Sequence, residues 1–169
     1  ENPYFDTEEG LVRAGHVGLK GVFPDIIIGF SPTPEAAQAV GGEQPLLDQL
    51  YKHPPFSGCF QNDTRHFEKA HALTDQTESR TSVWEIDVEI SEKTLETLKK
   101  WYNTKYIITY NLPNQEPPEF EADEYNCATI LQHPLLNIPT PVESGKLAKF
   151  IDAMIDLGAT KWEAKDVNP

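Results

Sequence analysis

The chain is poor in the residues that cross-link, anchor or neutralise. Only two cysteines, Cys59 and Cys127, occur in 169 residues, too few for a disulfide framework, and neither belongs to a CxxC pair of the kind that builds structural zinc sites. A single bridge between them is allowed by counting alone. Basic residues are scarce, 14 against 27 acidic ones, giving a formal charge of −13. That balance repels phosphate backbones and anionic lipid and offers no basic stripe for counterion release, so nucleic acid is excluded as an expected partner. It suits a basic protein partner, although solubility explains it as well.

Nowhere is there a run approaching the roughly eighteen apolar residues of a membrane span. The opening Glu1-Asn2-Pro3-Tyr4-Phe5 has neither the basic nor the apolar region of a signal peptide, so no span and no export signal of its own is expected. The sole methionine is Met154, which suits a fragment or processed product of a longer protein.

What is present is enough for one core. Apolar residues make up 38% and aromatics 10%, while fourteen prolines predict interrupted segments and long ordered loops. The expectation is a single α+β domain over 1–169 with its core from about residue 11 to 158. Gly15 to Leu19 reads as a strand, Lys20 to Pro24 as a turn and Asp25 to Phe30 as a buried β-branched strand, together an antiparallel hairpin. Ser31 to Gly42 reads as a Pro/Ala/Gly-rich loop, Leu46, Leu47 and Leu50 as a short helical turn, and Asn62 to Arg80 as polar surface loop. Trp84, Ile86, Val88 and Ile90 alternate with acidic residues, which predicts a strand with one wet face. Ser91 then caps a helix whose apolar stripe is Leu95, Leu98, Trp101 and Tyr102. Tyr106 to Tyr110 comes next as a short strand, Asn111 to Asp123 as a proline- and acid-rich loop, and Tyr125 to Leu131 as a helical start. A last helix, about Ser144 to Leu157, should bury Leu147, Phe150, Ile151, Met154 and Ile155 and stop at Gly158.

The chemistry concentrates on Cys127. A thiol attacks carbonyls as thiolate, and a helix N-terminus with a nearby histidine stabilises that form while first-turn N–H groups face the oxyanion. Of His16, His53, His66, His71 and His133, only His16 opens a predicted core strand. His53 precedes two prolines, His66 and His71 fall in the polar region, and His133 lies too far along the helix from Cys127 to face it. Elimination therefore selects His16 as the base, although a cysteine at a helix start is more often a small buried residue. Cys59, with no helix start or base beside it, reads as structural. The acidic loop of Glu116, Glu119, Glu121, Asp123 and Glu124 reads as solvated surface.

Gly15-His16-Val17-Gly18-Leu19 followed by Ile28-Gly29-Phe30-Ser31-Pro32 resembles the first motif of circularly permuted, NlpC-type cysteine peptidases. The order also matches further on: Asp63 in a polar segment, the strand from Val83, the helix from Ser91, and Tyr125-Asn126-Cys127 at a helix start. The resemblance implies a papain-like fold with an antiparallel sheet packed against the nucleophile helix. It implies Cys127 as nucleophile, His16 as general base and then acid, and a third polar group orienting the imidazole. Hairpin register points to Ser31 for that third role, with Asp25 the alternative for a tighter turn; for Ser31 the plainer reading is a turn residue before Pro32. Asn126 and Tyr125 are expected to shape the substrate and oxyanion region, the competing readings being an N-cap and a core aromatic. No cofactor or metal is expected. Similar domains hydrolyse amide bonds in peptidoglycan stem peptides as antibacterial effectors of type VI secretion. The resemblance therefore implies a peptidoglycan substrate, a secretion carrier, an immunity protein and action in a target cell's periplasm. Acyl transfer or lipid hydrolysis, protein deamidation, and an inactive binding module are the alternatives.

Overall fold

The computed structural model describes residues 4–7, 10–13, 16–42, 56–72, 84–111, 123–139 and 153–161. The predicted helical turn at Leu46 to Leu50, the acidic loop through Glu121 and the first part of the predicted last helix lie outside the described residues. Nine strands are described: β1 (Tyr4–Thr7), β2 (Gly10–Arg13), β3 (Leu19–Phe23), β4 (Ile26–Pro32), β5 (Phe56–Asn62), β6 (Trp84–Glu85), β7 (Ile108–Tyr110), β8 (Glu124–Tyr125) and β9 (Thr160–Lys161). The helices are α1 (Pro34–Ala39), α2 (Thr64–Ala72) and α3 (Glu92–Thr104), with a 3-10 turn at Thr129–Gln132. The class is mixed α+β. Its main sheet runs β3-β4-β5-β7-β8, antiparallel except for the parallel β7–β8 pair, while β1-β2 and β6-β9 form separate two-stranded sheets.

The first hairpin is displaced from its predicted position. Gly21, at φ 93°, absorbs a register shift inside β3, so the strand continues through residues that read as a turn, and the chain reverses at Pro24-Asp25 instead. His16 consequently lies just before β3 and not in a strand. The Ser31–Gly42 loop contains α1, because Thr33 Oγ1 accepts the Ala36 N–H at 3.1 Å and Pro34 fits the first helical turn, where no donor is needed. A proline that reads as a breaker is a helix start.

Asn62 to Arg80 is corrected too. It begins with α2, entered through Asn62, whose Oδ1 accepts from the Thr64 N–H at 3.1 Å and the Thr64 hydroxyl at 2.7 Å. The predicted strand from Trp84 to Ile90 pairs only at Trp84–Glu85, with β9; Val88 is exposed and residues 86–90 belong to no ladder. Strand β5, which no sequence pattern announced, is the centre of the main sheet.

Helix α3 forms as its sequence predicts. Ser91 Oγ accepts the Thr94 N–H at 3.1 Å, and Lys105 closes the helix in the left-handed conformation, φ 50° and ψ 49°. Leu98 and Trp101 are buried and Leu95 and Tyr102 partly so, one face against a core of Ile28, Phe30, Phe60, Ile108, Tyr110, Ile130 and Leu131. Thr94, on the same face, donates from Oγ1 to the Leu136 carbonyl at 2.9 Å and ties α3 to the segment following Cys127. At the far end, Gly158 (φ 95°) stops the helical stretch 153–156 as expected, but Ile155 is 36% exposed and Met154 alone of its described apolar residues leans on the core.

Candidate active site

Three segments separated in sequence converge on the His16 ring. The chain before β3 supplies His16, the end of β5 supplies Asp63, and the turn after β8 supplies Cys127. Asp63 stands immediately after β5, where its N–H still donates to the Ile27 carbonyl at 2.7 Å and its carbonyl accepts the Phe67 N–H at 3.1 Å, the first bond of α2. It thus occupies the N-cap position of α2. Its carboxylate nonetheless turns to His16, with Nε2 at 2.5 Å from Oδ2. Both side chains are 13% exposed.

Cys127 stands close enough to His16 to favour its charged form. Burial is the strongest single influence on the imidazole and opposes its charged form. Cys127 and Asp63 together outweigh it, and the His16 pKa stands well above the ordinary 6.5. Both neighbours favour the protonated ring. Helix α2 also presents two rings from the turn beyond Asp63: His66 lies edge-on to His16 at 4.9 Å and Phe67 at 5.7 Å.

The Cys127 turn is tighter than the predicted helix. Asn126 is fully buried, and its Oδ1 accepts N–H groups from Ala128 at 2.9 Å and Thr129 at 2.8 Å, while the Asn126 N–H donates to Thr129 Oγ1 at 2.8 Å. This reciprocal clamp is a capping box with threonine in the place of the usual Glu or Gln. It opens a single 3-10 turn, so the helix-dipole contribution expected at Cys127 is that of one turn only. Asn126 therefore holds the backbone of the turn that carries Cys127. Tyr125 is half-buried with its ring against His133 at 5.0 Å. Burial, and then the charge of Asp123, pushes its hydroxyl pKa up.

Comparison with family models, curated proteins and solved structures gives no match to this chain.

Ser31 is not the imidazole's hydrogen-bond partner. In β4 it pairs with Cys59 of β5, and its hydroxyl accepts from Gln61 Nε2 at 2.8 Å, which also donates to the Pro32 carbonyl at 2.8 Å. The partner comes from beyond the hairpin: β5 lies beside β4, and the residue that follows it delivers a carboxylate. Asp25, the alternative, lies in the turn between β3 and β4 and is exposed. Two signals in the sequence pointed to Asp63. Asn62-Asp63-Thr64 is a capping cluster, and Asp63, His66 and Phe67 have the i, i+3, i+4 spacing of one helix face.

The remaining candidates serve structure. Cys59 is a free, buried thiol on β5 whose pKa is pushed up by burial and then by the Glu35 charge, the opposite of activation. His133 Nδ1 accepts the Leu135 N–H at 3.0 Å, its ring meets Trp101 edge-on, and burial holds its pKa below the usual value. Cys127 is also a free thiol, 2% exposed. Among the described residues no cluster of three or more His, Cys, Asp or Glu has metal-holding geometry, and no helix is long and apolar enough to cross a membrane.

Proposed function

We propose that the chain is a cysteine hydrolase of the circularly permuted, papain-like NlpC type, acting on amide bonds of peptidoglycan stem peptides. The observation that carries the reading is the His16 ring held between the Asp63 carboxylate and the Cys127 thiol. A histidine oriented through Nε2 by a carboxylate, with a free thiol close by, is the arrangement that acyl transfer through sulfur requires.

That arrangement dictates the steps. Cys127 as thiolate attacks the amide carbonyl carbon, and the carbonyl electron pair moves onto oxygen. His16 gives a ring proton to the leaving nitrogen as the C–N bond breaks, leaving a thioester. Neutral His16 then takes a proton from water, hydroxide adds to the thioester, and the acid leaves as Cys127 recovers its thiolate and His16 its proton. Asp63 holds the ring by Nε2 throughout.

The substrate class, delivery by a secretion apparatus, action in a target cell's periplasm and neutralisation by an immunity protein belong to the same proposal, supported by the order of the His16 and Cys127 motifs. The test is digestion of purified peptidoglycan with the wild type and Cys127→Ala. Stem fragments released by the wild type alone are expected; no release by either protein would overturn the assignment of substrate.

A further inference from the structure

The hydrogen bond between His16 and Asp63 spans the sheet above strand β4, and the residue beneath it is Gly29. A Cβ built on Gly29 would overlap Asp63 Oδ2 outright, would lie 3.0 Å from the Asp63 carboxyl carbon and 2.9 Å from His16 Nε2. Gly29 is interior to β4, paired with Gln61, and is buried. Its backbone is not among those with positive φ, so no left-handed conformation accounts for glycine here. Glycine weakens a strand interior, and close approach of other groups is one of the few physical reasons to keep it there.

We propose that Gly29 is a positioning residue of the site. Its missing side chain is the space in which the carboxylate and the imidazole meet, and any larger residue separates them. The same atoms explain why the carboxylate comes from β5. Gly29 and Gln61 are cross-strand partners, and Asp63, two positions beyond Gln61 and just past the end of β5, brings its carboxylate over the same spot. The gap left by Gly29 is the place on that face where Asp63 Oδ2 and His16 Nε2 meet.

The inference rests on the reading of His16 and Cys127 as a reactive pair, and it is tested without peptidoglycan. Gly29→Ala, Asp63→Ala and the double variant are compared by the pH at which the His16 ring titrates in NMR spectra, assigned with His16→Gln, and by the pH dependence of iodoacetamide alkylation at Cys127. If Gly29 acts by making room for the carboxylate, Gly29→Ala lowers the His16 titration to that of Asp63→Ala, and the double variant goes no further. A Gly29→Ala protein that does not fold, rescued by adding Asp63→Ala, supports the same conclusion, because removing the carboxylate removes the overlap.

A folded Gly29→Ala with the wild-type His16 titration and alkylation profile overturns it. So does a double variant that fails to fold although Asp63→Ala folds, since glycine would then be needed for some other contact. Failure of the wild type to digest peptidoglycan bears on the substrate and leaves these measurements as they are.

Discussion

Asp63 Oδ2 lies 2.5 Å from His16 Nε2, a contact across 47 positions of sequence made by a residue that also begins helix α2. The carboxylate that would ordinarily cap its own helix is committed to the histidine. Replacing it with the near-isosteric amide, Asp63→Asn, keeps a hydrogen-bonding group in place but removes its charge. The His16 pKa should fall, because one of the groups that raise it is gone. The rate of Cys127 alkylation at pH 7 should drop between about ten- and a hundredfold, one pKa unit being a factor of ten. A rate within twofold of the wild type would show that the carboxylate does not support the pair.

Stability should carry the same signature with a definite sign. The His16 pKa is raised in the folded protein above its ordinary 6.5, so the folded state holds the proton more tightly than the unfolded chain. The associated stabilisation is complete below pH 6.5 and is lost as pH rises through the raised value. Urea unfolding of the wild type and His16→Gln at pH 6 and pH 9 should therefore give a difference that shrinks towards pH 9. A constant or growing difference would contradict the raised pKa.

The clamp beneath the nucleophile predicts a graded response. Asn126→Ala leaves the Ala128 and Thr129 N–H groups without their buried acceptor, a loss of about 1–3 kcal/mol each at most. Asn126→Asp keeps an acceptor at the same place. Thermal melting should rank wild type above Asn126→Asp and that above Asn126→Ala. Iodoacetamide labelling of Cys127 should fall in the alanine variant and recover substantially in the aspartate variant.

Two substitutions away from the site test the packing. Leu98 is fully buried beneath the main sheet, and Leu98→Ala should cost about 2–5 kcal/mol in chemical denaturation. Lys105 is held in the left-handed region at the end of α3, where a side chain is unfavourable, and Lys105→Gly should stabilise by up to about 1 kcal/mol.

How much of this is legible in the sequence depends on the range of the interactions involved. Helix α3 was, because Ser91, the Leu95-Leu98-Trp101-Tyr102 stripe and its end are local features that tertiary contacts reinforce. His16 and Cys127 were singled out by their motifs, and the structure brings them together. Asp63 was not selected, since its role comes from β5 lying beside β4, and Phe56 to Asn62 carries glycine, serine and cysteine with no clean alternation. Helices α1 and α2 were hidden by residues with two meanings: Pro34 both breaks and starts helices, and Asn62-Asp63-Thr64 reads equally as loop or cap. The capping role of Asn126 is legible because it is local: an Asn three residues before Thr129 is the spacing of a reciprocal cap.

The nucleophile turn leaves the main sheet by β8, an edge strand of two residues paired in parallel with β7, while the histidine enters at the opposite edge, next to β3. The site thus joins the two extremes of sheet order, so an enhanced reactivity of Cys127 is expected only once the last strand has been added. During refolding it should appear after the core fluorescence of Trp101 has changed, and a chain that loses β8 should keep its histidine pair while its sulfur behaves like that of any ordinary cysteine.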